Sequence, residues 1–479
     1  MGIERKKKNI FEVSEGEKFF VPKFEDFVKQ DPPKLEKEMV QLPPKCDKEP
    51  IINVGIMETD KVDVSFNSEY ICLEIPNIVF YGSYSFAMDG DKIVFEENHY
   101  SDLHFVFKID NKIISNTFTI DNVMIGIGFH WQRLEKQTFE GNLTLKSNNR
   151  KILVINNINT EDYLYSVISS EMSATAGIEL LKAHAIISRS WLLKPILEKQ
   201  FTNYSICENI TEEETTRWYE RDSHSLFDVC ADDHCQRYQG ISRAQNENVR
   251  IAIEATRGVV LTSEGTICDA RFSKSCGGVS ELFSSCWDNK DEKYLQPIVD
   301  SETTTTIPDL TIEENAEKWI RSEQDSFCNT KDVEILSSIL NNYDQETTDF
   351  YRWKVEYTTE ELSELISKRS GIDFGTITDL TPLQRGPSGR ITRLKITGTK
   401  RTHIVGKELE IRKWLSTSHL YSSAFVVDKT EKGFILTGAG WGHGVGLCQI
   451  GAAVMAAKGY KYDTILQHYF INSELTKLY

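Results

Sequence analysis

The 479-residue chain lacks any run of about 18 apolar residues, so no segment reads as a transmembrane helix. Its first residues, MGIERKKKNIFEVSEGEKFF, start basic but have no apolar stretch behind them, which excludes a secretion signal in this stretch. Positive charge is short: 55 Lys and Arg against 72 Asp and Glu leave a formal net charge of −17. An acidic protein of this kind repels phosphate backbones and anionic lipid surfaces, so nucleic acid is not an expected partner, whereas a neutral polymer such as a polysaccharide meets no such objection. Ten scattered cysteines in a chain this long exclude a small disulfide scaffold. Internal repeats and low-complexity tracts are also missing.

What is present is enough apolar material for a core. Hydrophobic residues make up 40%, with 24 Phe, 18 Tyr and 8 Trp, which a disordered chain does not carry. Residues 1–50 are charged and punctuated by proline and read as an extended arm. From Ile51 to about Ile158, short segments such as DKVDVSF, NIVFYGSYSF and LHFVFKI are separated by Asn, Asp, Gly and Ser, the pattern of antiparallel strands. Two helices are predicted next. The first follows Asn159 or Thr160, with Glu161 and Asp162 in the first turn; the second starts near Ile178, with Leu181, Ala185 and Ile186 on one stripe. SSEMSATAG is the polar break between them. Residues 201–236 read as loop-rich, and 290–380 as charged, with helices in EENAEKWIRSEQ and TTEELSELISKR. Further strands are predicted in GRITRLKITGT, KELEIR, AFVVD and GFILTG, then two short C-terminal helices. The fold class is therefore α+β, mostly antiparallel β-structure with a helical pair and the C-terminal helices packed on it.

Several residues could carry chemistry. Glu171 stands at a helix end, where a carboxyl group partly removed from water can act as a general acid, although an exposed glutamate is ordinarily only solvated. Arg189 is the one charge within HAIISRSWLL and needs a partner, either a ligand or a structural ion pair. His224, Cys230, His234 and Cys235 lie within twelve residues. They can converge on zinc, more easily through His224, Cys230 and Cys235 than through the adjacent pair, or leave Cys230 and Cys235 as a disulfide or as two free thiols beside exposed histidines. Lys274 and Ser275 occupy a strand end before Gly277-Gly278. Near the C-terminus, GAGWGHGVGLCQIGA (438–452) has glycine at every second position from Gly438 to Gly446, around Trp441 and His443. Such a backbone suits a tight turn or a close approach to a ligand.

Taken in chain order, NINTEDYLYSVISSEM, KAHAIISRSWLL, CQRYQG, RFSKSCGGVSE, GPSGRITRLKITG and GWGHGVGLCQIGAAVMAAKGYKYDTILQHYF resemble the stage II sporulation protein D / LytB amidase-enhancer family (SpoIID domain). The resemblance covers most of the chain from about Ile51, as one catalytic domain over 51–479 with insertions near 201–235 and 290–350. It implies a peptidoglycan lytic transglycosylase that cuts strands of N-acetylmuramic acid and N-acetylglucosamine lacking stem peptides, and closes a 1,6-anhydro ring. The family's catalytic acid falls on Glu171 and its helix arginine on Arg189. A structural zinc falls on His224, Cys230 and Cys235, with no organic cofactor. Arg189, Lys274, Ser275, Trp441, His443 and Gln449 become the substrate-binding residues, the glycines letting the loop pass beneath a sugar ring. Three positions depart from the family pattern: Cys276 and Cys448 stand where serine is usual, and Ile450 where tyrosine is.

Two other functions compete. A non-catalytic glycan-binding module could recruit or stimulate a cell-wall amidase, for which Glu171 would be superfluous. A zinc hydrolase is disfavoured, because two thiolates and one imidazole with no nearby acid resemble a structural site. The implied substrate lies outside the membrane, so the expected location is the extracytoplasmic cell envelope, with an export signal already removed.

Overall fold

In the computed structural model, residues 46–108, 116–126, 132–172, 176–198, 207–219, 224–232, 235–241, 247–303, 306–339 and 348–479 are described. The expected N-terminal arm, apart from its last five residues, and His234 lie outside them.

β-Structure starts at Ile51, where the polar-to-apolar change places it. The strand Ile51–Thr59 pairs antiparallel with Lys151–Asn159, and the ladder continues through Asn142–Asn148, Asp102–Phe107, Lys61–Cys72 and Ile75–Asp89. Alternation fixes which side of each strand is buried: in Lys61–Cys72, Val62, Val64, Phe66, Tyr70 and Cys72 point inward and their neighbours outward. One short parallel partner, Val229–Cys230, adds to the edge strand Ile51–Thr59 and brings the cysteine-bearing loop onto the sheet.

Helix α1 (Thr160–Glu171) leaves the end of that sheet, and α2 (Ile178–Glu198) follows. Tyr163, Leu164, Val167 and Ile168 of α1, Leu181, Ala185, Ile186 and Leu192 of α2, and Ile450, Met455, Ile465 and Leu466 of the C-terminal helices join the sheet in one core. A second core lies under a five-stranded sheet that includes Ile377–Arg385, Ile391–Gly398 and Thr402–Gly406, with Trp353, Ile411, Trp414 and Leu436 at its centre. The fold is thus α+β with mostly antiparallel sheets.

Three local expectations need correction. KELEIR is helix, Glu408–Trp414, not strand. Its polar–apolar alternation mimics period two, but Glu408 pairs with Arg412 (3.3 Å) and Trp414 Nε1 donates to Glu410 (2.9 Å), both four residues apart and both largely buried. The stretch 201–236 holds a hairpin, Cys207–Ile210 with Glu214–Trp218, whose second strand joins the five-stranded sheet beside Thr402–Gly406. The chain also ends in a strand, Glu474–Lys477, paired antiparallel with Val259–Ser263.

Candidate functional site

Glu171 is the last residue of α1. The chain turns there because Met172, fully buried, leaves the helical conformation (φ −136°, ψ 160°) while its N–H still donates to Ile168. The half-buried Glu171 accepts the backbone N–H of Arg237 on Oε1 (2.8 Å), and no hydrogen bond to Oε2 occurs among the described residues. The segment that supplies this N–H is sewn into the protein on every side. Gln236 Nε2 donates to the Ser188 carbonyl of α2 (3.4 Å), Tyr238 stacks on Tyr163 (5.2 Å), and the Gln239 N–H donates to Ser166 Oγ (3.2 Å). The carboxylate is therefore held against a segment tied to both α1 and α2.

The cysteine-bearing loop leads directly into that support. Cys235 Sγ lies 3.4 Å from His224 Nε2 and accepts the Cys230 N–H (3.4 Å), and the donor atoms of His224, Cys230 and Cys235 all fall within 4.8 Å of one another. Tetrahedral zinc places sulfur and nitrogen ligands about 3.5 Å apart, so these donors fit a metal ion. Between the loop and the sheet lies a mostly apolar cavity of about 300 Å³, lined by Met57, Met124, Gln137, Phe227 and Arg237 among others.

Lys274, Ser275, Trp441, His443 and Gln449 come together on two interleaved segments. Phe272–Ser273 runs parallel to Leu447–Cys448; Ser275 and Trp441 exchange backbone hydrogen bonds (3.0 and 2.8 Å), and the Ile450 N–H donates to the Lys274 carbonyl (3.1 Å). Gln449 Nε2 reaches His184 Nε2 of α2 (3.3 Å), so α2 touches this loop pair through His184 and the Glu171 support through Ser188. His184 is fully buried. Burial first, and the Lys274 charge second, push its pKa down to about 3, so it is neutral throughout the physiological range. Nothing in the sequence singles it out, since HAIIS reads as ordinary helix interior.

Other site residues have an inward role. Arg189 is fully buried and bonded through Nε and Nη2 to Glu161 (3.0 and 2.5 Å) and through Nη1 to the Val259 carbonyl (2.8 Å). The ion-pair alternative is the one the structure adopts, and the expected role in substrate binding is corrected: the guanidinium has no open face. His443 Nδ1 accepts the Val445 N–H (3.0 Å); burial, then the Arg271, Arg390 and Arg412 cations, hold its pKa well below the usual histidine value. Trp441 stacks on Tyr421 (4.1 Å) and meets Phe350 (4.8 Å), so part of its apolar surface is already used. Gln449 and Ser275 are buried, and Lys274 is half-buried.

The glycine spacing serves the protein's own atoms. The guanidinium of the fully buried Arg390 fills the inside of the loop and donates to the carbonyls of Gly442 and Cys276 (both 3.1 Å). A Cβ on Gly444 (φ +79°) would fall 2.4 Å from Arg390 Cζ, and one on Gly446 (φ +72°) 2.2 Å from the Arg271 carbonyl oxygen. The expected passage beneath a sugar ring is thus replaced, at these positions, by passage against an arginine and a neighbouring strand. Gly444→Ala should cost about 2–5 kcal/mol of stability from left-handed strain plus overlap, read as a lower denaturant midpoint. A midpoint equal to the parent's contradicts this.

Comparison with known proteins follows the same geography. Residues 148–263, spanning α1, α2 and the cysteine-bearing loop, match the family model described as stage II sporulation protein. Residues 281–446 match a domain of unknown function, DUF8618. An uncharacterised protein of Brachyspira hyodysenteriae is 25% identical over 69% of this chain and 70% of its own length. The amidase enhancer of Bacillus subtilis is 25% identical over 65% of this chain, which spans only 40% of that longer protein. Stage II sporulation protein D of Bacillus amyloliquefaciens is 22% identical over 67% of this chain and 76% of its own. With the domain match falling on the helical pair and both named relatives aligned over about two thirds of the sequence, the chain is similar to the stage II sporulation protein D (SpoIID) family.

Proposed function

We propose that this protein is a peptidoglycan lytic transglycosylase with Glu171 as its single acid–base residue. The observation that carries the reading is the carboxylate itself, anchored through one oxygen by a backbone N–H on a segment tied to α1 and α2, with Oε2 making no hydrogen bond among the described residues. The deeply buried carboxylates among the described residues are engaged in structure, Glu408 with Arg412 and Glu410 with Trp414 among them. Glu161 holds Arg189; Glu281 accepts from Leu282 N–H and Ser285 (both 2.9 Å); Asp300 accepts from Tyr469 (2.6 Å) and the Cys328 N–H (3.1 Å). A two-carboxylate hydrolase needs a partner group that none of these supplies.

In the proposed reaction Glu171 gives its proton to the glycosidic oxygen as the bond breaks and an oxocarbenium-like centre develops at the muramic carbon. The same carboxylate then takes the proton of the C6 hydroxyl, whose oxygen closes the 1,6-anhydro ring, so water is not consumed. Lys274, Trp441 and His443 belong to the loop pair proposed to line the glycan subsites, with Ser275 and Gln449 buried within it. The Lys274 ammonium suits the lactyl carboxylate that a muramic acid exposes once its stem peptide is gone. A zinc ion bound by His224, Cys230 and Cys235 would contribute a structural clamp; Cys235 lies two residues before the N–H that holds Glu171. The substrate places this activity in the extracytoplasmic envelope, with residues 51–479 as the catalytic domain. No helix among the described residues is long and apolar enough to cross a membrane.

A second reading takes support from the relative named amidase enhancer in Bacillus subtilis: this chain would then be a module that binds glycan and stimulates an amidase. Incubation with peptide-free strands separates the two. New chain ends support the transglycosylase; strands bound but uncut, together with faster release of stem peptides by an added amidase, favour the enhancer.

A further inference from the structure

Separate from the group of His224, Cys230 and Cys235, four more donors meet in the interior. Cys276 follows the strand Phe272–Ser273, Asp300 and Cys328 come from the region 290–350, and Cys448 precedes the helix Gln449–Ala457. All four are buried, and their donor atoms lie within 4.8 Å of one another. We propose that Cys276, Cys328, Cys448 and Asp300 form a second metal site, a three-thiolate, one-carboxylate centre for a single divalent cation of the zinc type.

The spacing is that of ligands around one ion. Tetrahedral Zn–S bonds of about 2.3 Å put neighbouring sulfurs about 3.8 Å apart, and sulfur and oxygen about 3.5 Å apart. Cys276 Sγ lies 3.6 Å from Cys328 Sγ and 3.5 Å from Asp300 Oδ2. The surroundings are built for negative sulfur and oxygen. Cys448 Sγ accepts the N–H groups of Cys276 (3.3 Å) and Gly451 (3.5 Å), at the positive end of the helix it caps. Ser326 Oγ lies 3.3 Å from Cys328 Sγ. Asp300 is oriented from behind: Tyr469 donates to Oδ1 (2.6 Å), which leaves Oδ2 turned toward the thiols, the arrangement by which outer groups aim a metal-binding carboxylate. His468 Nε2 stands 3.7 Å from Oδ1, on the Tyr469 side, so the buried oxygen that faces the three thiols, Oδ2, has only N–H, O–H and S–H neighbours among the described residues, and a cation among them would offset the cost of burying it.

The site also gives the region 290–350 a role. Two of the four ligands come from that region; the others, Cys276 and Cys448, lie on the two paired segments that follow Phe272 and Leu447. The ion would pin this region to the start of the helix that carries Gln449. The inference stands apart from the catalytic reading and survives its failure.

Metal content of the purified full chain tests it. Elemental analysis should find two equivalents of zinc in the parent chain, and one in Cys230→Ser/Cys235→Ser. Cobalt loaded into that variant should give the near-ultraviolet charge transfer of three thiolates and the visible bands of a tetrahedral ion. Cys276→Ser/Cys448→Ser should lose one of the two equivalents while circular dichroism stays native. Should either variant not fold, cobalt in the parent chain decides: charge transfer from five thiolates supports both sites, from two only the loop site. A folded Cys230→Ser/Cys235→Ser chain without metal, or a Cys276–Cys328 disulfide in non-reducing peptide mapping, overturns the proposal.

Discussion

A Glu171→Gln chain should bind peptide-free glycan strands as the parent does and cleave them about 10²–10⁴-fold more slowly, the usual contribution of one acid–base group. At about 1.4 kcal/mol per decade, that is roughly 3–5 kcal/mol of transition-state stabilisation. The amide keeps the shape of the carboxylate, and its oxygen still accepts the Arg237 N–H, so fold and support are retained. What disappears is the proton that must reach the glycosidic oxygen. Because α1 is closed by Met172 and not by Glu171, thermal stability should change little. Cleavage at the parental rate by the folded variant would remove Glu171 from the mechanism. Loss of binding together with cleavage would make it a structural residue.

The second large effect is on stability. Arg189→Met should destabilise the protein by about 3–5 kcal/mol, because it leaves Glu161 as a buried charge without its cation. Glu161 would retain the Gly258 N–H (3.0 Å) and the Tyr479 hydroxyl (2.6 Å), neither of which supplies positive charge. The Val259 carbonyl would also lose its donor, on the strand that pairs with the C-terminal Glu474–Lys477. The combined Glu161→Met/Arg189→Met chain should recover most of the loss, since two apolar groups of similar volume leave nothing unpaired. Denaturant midpoints of the three chains read this directly. A single variant as stable as the parent would mean that Arg189 is not the structural ion-pair partner described above.

Local patterns were legible in the sequence, and convergence across the chain was not. The start of the sheet at Ile51, the two helices around SSEMSATAG and the position of Glu171 at a helix end follow from periodicity and end signals that act over a few residues. His224, Cys230 and Cys235 were readable because they sit within one loop. Asp300 and Cys328 were not: they lie 24 and 52 residues from Cys276, a separation at which no spacing rule operates. KELEIR misled because alternation over six residues is equally compatible with a helix whose charged side chains are buried in pairs. The glycine loop misled for a different reason. Its spacing announces close approach correctly, but the approaching group is Arg390, more than fifty residues away in sequence and silent in its own segment. Arg189 shows the same limit: an arginine on an apolar helix must have a partner, and only the fold tells whether that partner is Glu161 or a ligand.

The measurement that bears most directly on the proposed reaction is mass spectrometry of the fragments released from peptide-free glycan strands by the parent chain. Fragments ending in 1,6-anhydro-muramic acid, each one water lighter than its hydrolytic counterpart, are the expected result. Fragments with ordinary reducing ends would contradict it, showing that water attacks the muramic carbon and that a second catalytic group is at work.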